Sequence, residues 1–138
     1  MRVVPLALIA SLFTLGAVAA EIGVKEEMKT VVDSASNTVF SVGGDVDPAN
    51  GPDAAKVPAA RWAEALAAAK KLKTAGAHLV GPQKQPGEVW AKSAADFARL
   101  ATDAEAAAMK KDGAGFSKAA NDLGDTCTAC HSKYKKQS

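Results

Sequence analysis

Aromatic side chains are scarce in this chain: four phenylalanines, two tryptophans and one tyrosine among 138 residues. With so few rings there is no basic stripe interleaved with aromatics, which removes the usual signature of a nucleic-acid surface. Charge of one sign is lacking too. The formal net charge is +2, too small to mark the whole protein as a polyanion binder. No stretch of weight alternates apolar and polar residues, and no segment repeats, so sheet and solenoid architectures lose their basis. Histidine and cysteine are limited to two each, so any metal or redox chemistry must come from very few positions. What is plentiful is alanine. Apolar residues reach 48%, and alanine, the best helix former, dominates them. An interior of small side chains on helices is thin and has room for a bulky filler.

The first twenty residues read as a signal peptide, with the mature domain over 21–138. Arg2 precedes an uncharged run over 3–20, and small residues Ala17, Ala19 and Ala20 stand before the first acid, Glu21. An uncleaved membrane anchor is the competing reading, since the run just reaches spanning length. Cleavage predicts an exported protein without a membrane span, and in a bacterial-type cell that means the periplasm.

Four helices are predicted in the mature chain, an all-α antiparallel up-down four-helix bundle. The first covers about Gly23 to Val42, with Val24, Met28, Val31, Ala35, Thr38 or Val39, and Val42 facing inward at a spacing of four, three, four. The second covers about Pro58 to Leu79, with Trp62, Leu66, Ala69, Leu72 or Lys73, and Gly76 inward. The third covers about Glu88 to Lys111 and presents Trp90, Ala94, Phe97, Ala101, Ala104 and Ala108, with Gly113 ending it. The fourth covers about Gly115 to Lys135, with Phe116, Ala120, Leu123, Cys127, Cys130 and Tyr134 on one stripe. Between the first two helices, Asp45, Asp47 and Asp53 bear a passing likeness to a calcium loop. The glycine and terminal glutamate that motif needs are misplaced, so a solvated loop is expected.

Chemistry concentrates in Cys127-Thr128-Ala129-Cys130-His131. Four readings compete. One is a structural disulfide. A thiol-redox pair needs a helix N-terminus to lower a thiol pKa, and this pair sits late in a helix. A zinc site needs a fourth ligand, and His78 is the only other histidine. C-x-x-C-H is the signature of covalent haem attachment. In that chemistry two thiols add across the porphyrin vinyl groups and the adjacent histidine binds iron. Together with the leader and the alanine-rich interior, the motif predicts one haem c held by Cys127 and Cys130, with His131 as the proximal iron ligand.

At this point the chain resembles the class II cytochromes c, which include cytochrome c-prime and its low-spin, methionine-ligated relatives. The resemblance rests on the terminal "CTACHSKY", on a methionine early in the first helix, and on Trp90, Asp96 and Phe97 in the third. Lys135 stands where members often carry arginine. The resemblance implies a four-helix bundle with haem near the end of the last helix, redox-protein partners, and either a monomer or a homodimer.

In such a bundle the start of helix one, the end of helix two, the start of helix three and the end of helix four share one end. Met28 and His131 then lie at similar depth, which makes Met28 the expected distal iron ligand. Met109 falls at the far end, and His78, in a last turn before a Gly-Pro break, is expected to face outward. Trp62 and Trp90 are expected in the packing, and Tyr134 is in reach of both core and ring. Lys133, Lys135 and Lys136 form a basic group that suits an acidic redox partner or a solvated terminus. The expected function is therefore a soluble electron carrier with His131/Met28 ligation and no catalytic residues. The alternative is a five-coordinate, cytochrome c-prime-like binder of small gases such as nitric oxide. A haem peroxidase ranks third, because it needs a distal acid-base pair.

Overall fold

In the computed structural model, the described residues are Ile22 to Lys135. The leader over 1–20, the mature start at Glu21, and Lys136 lie outside them. Four long helices form an all-helical bundle, with no strand among the described residues. Helix α1 is built of three consecutive segments, Val24–Glu27, a π-helical Met28–Val32, and Asp33–Asp45. A short 3₁₀ turn, Pro48–Asn50, interrupts the following loop. Helix α2 is Ala59–Val80, α3 is Glu88–Lys110, and α4 is Gly113–Tyr134. None of the described helices is long and apolar enough to cross a membrane.

Each stripe read from the sequence meets the core, with two departures. On α3 all six predicted residues, Trp90, Ala94, Phe97, Ala101, Ala104 and Ala108, are buried. On α2 the inward choice between Leu72 and Lys73 falls to Leu72. The first departure is in α1, where Val32 rather than Val31 is buried, together with Glu27. An α-helix repeats its face every three to four residues, but a π turn closes i to i+5. Glu27 is five residues before Val32, so the π turn puts the acid, not Met28, in line with the core stripe.

The second departure is at the α3–α4 turn. The left-handed residue that ends α3 is Lys111, at φ 54°, while Gly113 opens α4. Glycine is needed at 113 for space. A Cβ there would lie 2.9 Å from Ala55 Cβ and 3.1 Å from the Val46 carbonyl oxygen. Asp112 caps α4 by accepting from Gly115 N–H at 3.0 Å, which satisfies one of the open donors of the first turn.

The acids of the long loop are engaged locally. Asp47 accepts from Ala49 N–H at 2.9 Å, Asp53 pairs with Lys56, and Asp45 pairs with Arg61. Arg61 also reaches Ser41 Oγ at 2.9 Å and Glu64 at 2.7 Å, so it ties α1 to α2 at that end.

Small residues let α2 and α3 approach closely. A Cβ on Gly76 would sit 2.8 Å from Ala98 Cα and 3.2 Å from Phe97 Cδ1. Nearby, Lys73 pairs with Glu105 at 2.6 Å, and the Trp90 indole N–H donates to the Leu79 carbonyl at 3.0 Å. Gly76→Ala is expected to push these helices apart and to lower stability by about 1–3 kcal/mol, the usual cost of overpacking. Urea unfolding monitored by helical dichroism measures it.

Candidate functional site

Helix α4 carries the chemistry because its inner face continues past Phe116, Ala120 and Leu123 to the two thiols. Cys127 and Cys130 are half-buried, free of any disulfide, and packed against the core. The structural-disulfide reading therefore finds no bond here. Burial pushes both thiols up from their ordinary pKa, and for Cys127 the neighbouring Cys130 adds to it. They stay protonated at neutral pH, opposite to what a thiol-redox pair requires. Next to them His131 is exposed, and its pKa is lowered by partial burial and then by Lys135. It is a neutral imidazole at neutral pH, with a lone pair free to bind a metal. Among the described residues, no three His, Cys, Asp or Glu side chains gather as a metal cluster, so the zinc reading lacks its further ligands.

Side-chain contacts link this turn to the other helix ends. Tyr134 stacks edge-on against Trp90 at 5.3 Å and 89°, and its hydroxyl donates to the Pro86 carbonyl at 3.2 Å. Trp90 holds the Leu79 carbonyl of α2. One residue before Leu79, His78 Nδ1 lies 2.7 Å from Glu27 Oε1 on α1. Tyr134, Trp90, His78 and Glu27 thus connect the end of α4, the start of α3, the end of α2 and the start of α1. The expectation that His78 faces outward is met only in part: its side chain is 42% exposed but bonded inward to Glu27, which is 3% exposed.

Met28 is half-buried on the π turn and touches the core from its edge. Met109 is 66% exposed. The π turn packs chiefly on α2, whereas α4 meets α1 through the Asp33–Asp45 segment. Val24, Met28, Cys127, Cys130 and Tyr134 are among the apolar side chains that pack only partly buried against the core. Cys127 and Cys130, half-buried and free, with the exposed His131 directly after them, are the donor set that a covalently attached haem would need. Two shallow surface grooves lie elsewhere, one beside Arg61 and Lys71 and one beside Phe40 and Gly124, and neither includes Met28, Cys127, Cys130 or His131.

Sequence reasoning missed Glu27. Its carboxylate is buried with Oε2 unpaired by any described residue. Nothing in a regular helical period points to it. The only trace is the five-residue step from Glu27 to Val32 beside an ambiguous Val31-Val32 pair.

No family model matches the chain, and neither the curated proteins nor the solved structures gave a match.

Proposed function

We propose that this protein is a c-type cytochrome of the class II kind, an antiparallel up-down bundle that carries electrons rather than an enzyme. Cys127 and Cys130 would hold one haem through thioethers, with His131 as the proximal iron ligand and Met28 as the distal one. The reading includes export to the periplasm by the leader. When bound, the haem supplies reversible one-electron exchange at its iron. The chain's residues do the rest. His131 and Met28 offer a nitrogen and a thioether, a pair that changes little on electron transfer and favours the reduced state. Tyr134 and Trp90, in edge-on contact, would shelter the ring from water, and Lys133 and Lys135, both exposed, would give an acidic partner protein a place to dock.

One observation carries the reading: two free, half-buried thiols one turn apart on the inner face of α4, followed directly by an exposed imidazole. The antiparallel order draws support from pairs whose numbers run in opposite senses, Lys73 with Glu105, Gly76 with Ala98, and Leu79 with Trp90. The gas-binding alternative also has an observation in its favour. The π turn that bears Met28 packs chiefly on α2 and not on α4, so an open distal face is a second reading.

Acid-acetone treatment tests the attachment. Haem should stay with the wild-type polypeptide and leave completely when Cys127 and Cys130 are both replaced by serine. Release of haem from the wild-type protein would overturn the assignment.

A further inference from the structure

We propose that Glu27 and His78 act as a clamp that sets the bearing of Met28, so that His78 is a positioning residue for iron ligation although it binds no iron. The inference rests on the Met28 reading above and adds a cause for it. In an unbroken α-helix, residue 28 would fall four before Val32 and seven before Ala35, and would lie squarely in the core stripe. The π turn over Met28–Val32 gives that line to Glu27, which is 3% exposed, and turns Met28 to the edge where it is half-buried.

A π turn and a buried carboxylate both disfavour the folded state unless something holds them. His78 is what holds them. Its Nδ1–H donates to Glu27 Oε1 at 2.7 Å across the α1–α2 seam. Its backbone is fixed in turn, because Gln83 N–H donates to the His78 carbonyl at 2.8 Å, and the Gln83 side-chain amide donates to the Ile22 carbonyl at 2.7 Å. The first turn of α1 is thus gripped on two sides by the end of α2. Without the His78 bond, Glu27 would be drawn to water. Relaxation of the π turn to α would then swing Met28 into the core stripe and so remove it from the half-buried position in which it is proposed to reach the iron.

Spectra of the full-length holoprotein test the clamp. Wild type should be low-spin with the weak far-red sulfur-to-iron band when oxidised. His78→Leu should keep its covalent haem but lose most of that band. A hydrogen bond to a charged group shifts an equilibrium by roughly ten- to a hundredfold, so carbon monoxide should bind reduced His78→Leu about tenfold faster or more. His78→Gln retains an N–H donor for Glu27 and should restore band and slow binding. His78 is 42% exposed, so leucine leaves no cavity; should that variant fail to fold, His78→Ala provides the same readout.

Wild-type band and kinetics in the folded leucine or alanine variant would overturn the clamp alone. A wild-type protein without the far-red band would remove Met28 ligation itself, and the clamp with it. Low spin without the band, lost in His78→Leu, would make His78 a ligand and so overturn its positioning role.

Discussion

Met28→Ala is expected to turn a six-coordinate, low-spin iron into a high-spin one and to make carbon monoxide binding to the reduced protein fast. On the proposed ligation, an incoming gas would have to wait for the minor state in which the thioether has left. Minor states of this kind are populated at about 0.1–10%, and apparent binding scales with the competent fraction. Removing the sulfur should therefore speed binding by about ten- to a thousandfold. Stopped-flow mixing with carbon monoxide, alongside oxidised and reduced spectra, reads both effects. Met109→Ala is the control: the side chain is 66% exposed on the last turn of α3, so the spectrum should not change. A wild-type protein that is already high-spin, and indifferent to loss of Met28, would sink the electron-carrier reading in favour of gas binding.

The second large effect concerns stability. Phe116→Ala is expected to cost about 3–5 kcal/mol, against a total of about 5–15 kcal/mol for a domain of this kind. Phe116 is wholly buried and meets the Trp62 ring edge-on at 6.0 Å and 83°. Alanine is the commonest residue of the buried core and is too short to move into the gap, so the cavity persists. Urea unfolding should show a much lower midpoint with little change in slope. A loss below about 1 kcal/mol would mean that the helices close around the missing ring.

Much of the bundle is readable from periodicity because alanine and leucine keep a strict helical spacing. The stripes of α3 and of α4 up to Leu123 show this residue by residue. Cys127, Cys130 and His131 stand out in the sequence because C-x-x-C-H is itself a chemical signature, and the helical period already puts both thiols on the inner stripe where they are half-buried. The Glu27–His78 pair was not. It depends on a π turn, and a turn that inserts one residue changes the phase of everything before it while leaving the composition untouched. Lys111 was hidden for a related reason. Glycine is the ordinary left-handed residue after a helix, and the glycine two positions on attracted that assignment, although it is needed for its small size against Ala55 and Val46. Gly76 was placed on the inward face, but its close approach to Ala98 depends on the distance between two helices, which one strand of sequence does not encode.

The unequal connections have a kinetic consequence. Only Lys111 and Asp112 separate α3 from α4, and residues 81–87 separate α2 from α3, whereas residues 46–58 separate α1 from α2. Closing a long loop costs more entropy than closing a short one, and sequence-local contacts form fastest. The pair of α3 and α4, extended by α2, is the natural early unit, and α1 is expected to dock last and open first. Sub-global opening of α1 would uncover the side of α4 that it covers, including Ala120 and Ser117 opposite Gly43, while the other three helices stay folded. A long loop that lets α1 open by itself would thus give the proposed haem a way in without unfolding the whole protein.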